Sequence, residues 1–343
     1  MDKKVALHMA FCAGIIGVCG IFLFYGMGTL VVAVVVGAAI VLLLNILLRG
    51  MGFLINRKLG KAVFLKRISS ILFAVLTVVV SVCVLVYAVQ DSMMFYNVHD
   101  PESRELLQDR EGYHEVHFTA ANGKTYHGMM YRASDEIAPL VIYFGGNGEV
   151  SYRNLRNRDE QNQWRHFAGY HYLFIDYEGY GLNGGSPHYR NMYEQTLEVF
   201  DYAVALPYVD SGHIVAMGYS LGTGSAVYLA ANRPVAGLIL ATPYANGTDL
   251  YNGMLPIFHG PMKLLVRQKL PSDEYAPSVA CPVLIIASRR DEAIPFSSSE
   301  RLASLFNGDV EFIKLETALH NTIFQAEGVF DRVLKFLEGV AAQ

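Results

Sequence analysis

A serine hydroxyl is a useful nucleophile at neutral pH only when a nearby base takes its proton and the backbone holds it clear of its surroundings. Gly218-Tyr219-Ser220-Leu221-Gly222 offers such a serine. An apolar run, 214–219, precedes it and small residues, Thr223, Gly224, Ser225 and Ala226, follow. That context suits a serine on a strained strand-to-helix turn. A glycine-rich turn with a merely structural serine is the plain alternative, and partners elsewhere in the chain decide between the two. Asp291 follows the apolar run 283–287, with Glu292 beside it as a second candidate and Asp249 further upstream as a third. His320 follows the run 310–315. Ser220 is therefore expected as nucleophile, His320 as general base and Asp291 as the acid that fixes the imidazole tautomer. A tetrahedral oxyanion needs donors, and the backbone N–H groups of Leu221, at a helix start, and Asn147, in the glycine loop 145–148, are the expected pair. Gly146, Tyr219 and Tyr244 are expected to border the substrate, whereas Asp176 reads as a structural acid shaping its own glycine-rich loop.

The elements that must position these groups are legible as a change of period. Residues 114–120 and 125–132 alternate and are joined through Asn122-Gly123, a strong hairpin signal. The stretch 140–144 is a continuous apolar run, and from there expected strands at 170–176, 214–219, 236–241, 283–287 and 310–315 take turns with helical patterns at 192–206, 221–232, 297–306 and 323–337. Alternation of this kind predicts a mostly parallel, doubly wound sheet with the hairpin as its antiparallel edge, spanning 113–343 as one domain. Residues 244–277 are too long for a plain connection and are expected to form a small cap. Its apolar residues could line the substrate site or pack a core of their own.

The first third has a different character. No charge falls between Phe11 and Leu48, a third uncharged run covers 68–89, and six Lys or Arg lie between them without a carboxylate. Since about 20 apolar residues cross a bilayer, spans are expected at about 5–25, 29–48 and 68–89, with 91–112 as a linker. Lys3, Lys4 and the basic 49–67 loop would then share the cytoplasmic face, making this a multi-pass cell-membrane protein with an extracytoplasmic catalytic domain.

Residues 1–67 carry a net +7 and the remainder −11, which excludes a phosphate-binding surface and with it nucleic acid. Three of four cysteines fall in the expected spans, leaving no disulfide framework, and the scattered histidines lack metal-ligand spacing, so no metal or cofactor is expected.

Besides the triad, Gly146-Asn147-Gly148 and Asp176-Tyr177-Glu178-Gly179-Tyr180-Gly181 with Gly185-Ser186-Pro187 resemble the α/β-hydrolase superfamily, especially its membrane-attached serine hydrolases similar to acyl-protein thioesterases and prolyl-oligopeptidase-like enzymes. Phe144 and Glu178 depart from that pattern, where relatives carry residues such as histidine and arginine. The resemblance, which covers about residue 113 to the C terminus, implies an α/β-hydrolase fold, here following about three transmembrane helices expected from the apolar runs. From the triad and the apolar cap segments beside a membrane, the expected activity is hydrolysis of an ester or thioester of an acylated, lipid-borne substrate. A serine peptidase and a non-catalytic membrane scaffold are the alternatives.

Overall fold

The computed structural model describes residues 63–96, 98, 101–107, 110–167 and 169–342. The chain divides into two compact units, Met1–Met93 and Met94–Gln343. In the first, α1 (Val63–Met94) is a continuous helix that contains the run 68–89. The other two expected spans lie outside the described residues. Among the described residues no helix is long and apolar enough to cross a membrane, so the expectation of spans rests on the sequence.

The second unit is a three-layer sandwich. After α2 (Pro101–Leu107), strands β1 (Tyr113–Thr119) and β2 (Thr125–Tyr131) form the hairpin; β3 (Ala138–Phe144) leads to α3 (Ser151–Glu160), β4 (His171–Ile175) to α4 (Tyr189–Val204), and β5 (Val209–Tyr219) to α5 (Gly222–Asn232). The remainder is β6 (Gly237–Ala241), α6 (Gly247–Met254), α7 (Ser272–Tyr275), β7 (Val283–Ser288), α8 (Phe296–Ala303), β8 (Val310–Leu315) and α9 (Val329–Ala341). Among the described residues, all eight strands form one sheet in the order β1-β2-β4-β3-β5-β6-β7-β8. Only β1–β2 and β2–β4 pair antiparallel. The central strands β4, β6 and β7 are buried at every position, as continuous apolar runs covered on both faces should be, whereas edge strand β1 is half exposed.

Helical stripes supply the cover. On α9, Val329, Val333, Leu337 and Val340 recur at helical spacing and pack into the aromatic core of Tyr143, Phe167, Tyr172 and Phe174. On α4, Met192, Thr196, Val199, Phe200 and Ala203 make the equivalent stripe.

Two expectations need correction. The stretch 91–112 is not plain linker, because α2 forms within it and anchors itself through the fully buried Leu107. The final helix starts at Val329 rather than 323, since Gly328 takes φ 75° and separates it from a 3₁₀ turn over His320–Gln325. The region 244–277 does carry its own short helices, and Phe258 packs on Tyr251 with ring centroids 5.3 Å apart, so part of its apolar content forms a local core. Leu264, by contrast, stands 83 % exposed.

Candidate active site

Ser220 sits between β5 and α5 with φ 49°, a conformation uncommon outside glycine, so the turn is strained as the motif requires. Its tightness explains both flanking glycines. A β-carbon at Gly218 would lie 2.7 Å from the Gly222 carbonyl oxygen, and one at Gly222 only 2.0 Å from that of Phe144. Such approaches to backbone cannot be relieved by rotating a side chain. The turn is closed by Thr223, whose N–H and hydroxyl both donate to the Ser220 carbonyl, at 3.0 and 2.7 Å.

The three dispersed residues meet at the carboxyl edge of the sheet. His320 Nε2 lies 2.9 Å from Ser220 Oγ, and its Nδ1 lies 2.9 Å from each oxygen of Asp291. The carboxylate is itself fixed: Oδ1 accepts the N–H groups of Ala293 and Ile294 at 2.9 and 2.8 Å. Ser220 and His320 are both buried except for a small face. The other two acids take different places. Glu292 accepts the backbone N–H of His320 at 3.0 Å, so it holds the histidine's main chain and leaves the ring to Asp291. Asp249 binds Ser298 and Arg301 on α8.

The loop following β3 runs beside the serine. A β-carbon on Gly146 would lie 2.8 Å from the Tyr219 ring and 3.5 Å from Ser220 Cβ. The Asn147 carboxamide oxygen accepts from the Tyr180 hydroxyl and from the Tyr96 N–H, both at 2.9 Å. Its side chain is thus a structural clasp. Among the described residues the backbone N–H groups of Leu221 and Asn147 have no hydrogen-bond partner, which leaves both available to an incoming oxygen.

Two aromatic residues expected at the substrate have other partners. The Tyr219 hydroxyl donates to the His320 carbonyl and to Asn321 Oδ1, each at 3.2 Å, and burial pushes its pKa up, so it remains a donor. Tyr244 turns inward instead of bordering a pocket: it is fully buried and donates to the Leu221 carbonyl at 2.9 Å, steadying the start of α5 from below.

Asp176 lies apart from the triad. Its carboxyl accepts the N–H and hydroxyl of Ser151 at 2.6 and 3.1 Å, and burial pushes its pKa up to about 7. An acid that binds its proton more tightly folded than unfolded loses stabilising influence as pH rises through the folded value. Stability should therefore decline between about pH 4 and about 7, by at most about 1.4 kcal/mol per pH unit from this one group. Asp176→Asn, which still accepts from Ser151, should lack that decline in urea unfolding measured across the range. An identical slope in both proteins would contradict this.

Sequence reasoning missed the residues that hold the glycine loop, Glu149, Tyr177 and Tyr180. A faint signal existed for Glu149, because a glutamate three residues after a turn's first N–H can reach back to it. Gly146 stands where a Ser or Thr would have flagged the pattern.

No family model matches the chain. Its similarity to individual proteins is clear. It is 30% identical over 216 residues to α/β hydrolase domain-containing protein 17B of Xenopus tropicalis, covering 61% of this chain and 69% of that protein. It is 28% identical over 184 residues to the lysophosphatidylserine lipase ABHD12 of Rattus norvegicus, covering 49% of this chain and 45% of the lipase, so the likeness spans less than half of that protein. Among solved structures, an esterase of Pyrococcus furiosus superposes with a TM-score of 0.57 at 18% identity, over 71% of this chain and 98% of the esterase. A sheet of this order, a serine on a strained turn after β5 and a relative 30% identical over most of its own length lead to one conclusion: the chain belongs to the α/β-hydrolase family.

Proposed function

We propose that this protein is a serine hydrolase that cleaves ester or thioester bonds of an acylated or lipid-like substrate through an acyl-enzyme on Ser220. The observation that carries the reading is the unbroken relay from Ser220 Oγ through the imidazole of His320 to Asp291, with 2.9 Å at each step. As Oγ bonds to the acyl carbon, its proton passes to Nε2, and the imidazolium so formed is stabilised by the Asp291 carboxylate at Nδ1. The carbonyl oxygen gains the negative charge and takes the N–H groups of Leu221 and Asn147; losing one such donor typically costs about 10²–10³ in rate. Collapse breaks the bond to the leaving alcohol or thiol, which receives the Nε2 proton. Water then repeats the sequence, returning a carboxylic acid and free Ser220.

Support for a lipid-like acyl group comes from the lipase among the relatives and from Leu264 exposed on the cap. A chain-length series of p-nitrophenyl esters and acyl thioesters, with aminoacyl amides in parallel, tests this. Ester or thioester turnover that rises with chain length is expected; faster cleavage of the amides would replace the reading with a peptidase.

The same reading attaches the enzyme to a bilayer through its N-terminal third, with the catalytic domain outside the cytoplasm. The uncharged run 68–89 and the exposed Leu72, Val75, Leu76 and Val79 of α1 support it. Full-length protein should stay in the membrane pellet after alkaline carbonate washing. Release into the supernatant would rule out integral anchoring.

A further inference from the structure

We propose that Glu149 is a positioning residue that aims the Asn147 N–H at the developing oxyanion, an assignment that rests on the serine-hydrolase reading above. Glu149 Oε2 accepts the Gly146 N–H at 2.7 Å and the Tyr143 hydroxyl at 2.8 Å. Its own N–H donates to the Gly146 carbonyl at 3.2 Å, closing the turn in both directions. A trans peptide points its C=O and N–H to opposite sides. With the Gly146 carbonyl turned toward Glu149, the N–H of Asn147 in the same peptide plane must point out of the turn. The loop's other groups are tied as well, the Gly145 carbonyl by the Tyr177 hydroxyl at 3.1 Å and the Asn147 carboxamide by Tyr180 and Tyr96.

The side chain fits because residue 145 is glycine: a β-carbon there would lie 3.1 Å from Glu149 Oε2 and 2.5 Å from the Phe174 ring. Behind it, Oε1 accepts from Asn154 Nδ2 at 3.3 Å. Asn154 Oδ1 in turn accepts from the buried Arg158, whose guanidinium lies 5.0 Å from the ring centroids of Tyr143 and Tyr172. The clamp is therefore braced against the core rather than held by solvent-exposed contacts.

Reach, not charge, is the property the geometry demands, and two substitutions separate them. Glu149→Asp keeps the carboxylate but is one methylene too short for the Gly146 N–H; Glu149→Gln keeps the reach without the charge. With a p-nitrophenyl ester, Glu149→Asp should lower kcat by about 10²-fold with KM within about three-fold, and weaken a trifluoromethyl ketone analogue by the same factor as kcat/KM. Glu149→Gln should stay within about ten-fold of wild type, since it preserves the acceptor. Unchanged kcat in Glu149→Asp, a loss confined to thermal stability, or a larger defect in Glu149→Gln would overturn the proposal while an inactive Ser220→Ala left the serine reading standing. A wild-type enzyme that neither hydrolyses the ester nor binds the ketone would overturn both.

Discussion

Ser220→Ala is expected to lower kcat for ester hydrolysis by about 10⁶-fold while the protein remains folded. The size follows from how the relay works. His320 can accept a proton only from a group that then bonds to carbon, and methyl at residue 220 removes both the nucleophile and the bond that fixes Nε2 at 2.9 Å. What survives is binding and the oxyanion donors of Leu221 and Asn147, which by themselves leave about 10³–10⁴ over the uncatalysed rate. Because the change deletes a single oxygen from a buried side chain and eases nothing in the strained backbone, circular dichroism and melting temperature should stay close to wild type. Retention of more than a few per cent of the activity would show that another group carries the reaction.

Asp291→Asn should cost about 10⁴-fold, the second largest effect, for a reason visible in the bonds around it. Oδ1 of Asp291 takes two backbone N–H groups, from Ala293 and Ile294, which an asparagine can satisfy only with its carboxamide oxygen. Its NH₂ then faces His320 Nδ1, so that nitrogen must become the acceptor and the ring proton moves to Nε2. An imidazole protonated at Nε2 cannot take the serine's proton. Glu292→Gln preserves an acceptor for the His320 N–H, and Asp249 lies with Ser298 and Arg301, so Glu292→Gln and Asp249→Asn should each remain within about ten-fold. A defect in either as large as that of Asp291→Asn would reassign the acid.

Ser220 and Asp291 fall just after parallel strands whose apolar stretches are buried, and such strands announce themselves as apolar runs. His320 follows the edge strand β8, which has no buried residue and carries Glu311 and Lys314, so its place on the rim rested on the order of the elements. Pattern and order report where a backbone leaves the sheet, so they placed the three on one rim without showing any side chain. Helix α3 left almost no such mark: Tyr152 and Leu155 are its only buried apolar residues, and Asn154 and Arg158 turn inward as polar members of the Glu149 network. Tyr244 misled for a related reason. A tyrosine just past a strand end is equally suited to border a pocket or to reach beneath the neighbouring helix, and only the tertiary packing of α5 decides that it donates to Leu221. Hydrogen bonds between segments 33 to 51 residues apart, such as those that tie Asn147 to Tyr180 and Tyr96, have no periodic trace at all.

The most direct test of the central claim is covalent labelling with a fluorophosphonate followed by peptide mapping. A single adduct on the peptide containing Ser220, absent from Ser220→Ala and sharply slowed in His320→Ala, is the predicted result. Folded wild-type protein that takes up no label, or label that persists unchanged after Ser220→Ala, would contradict the account.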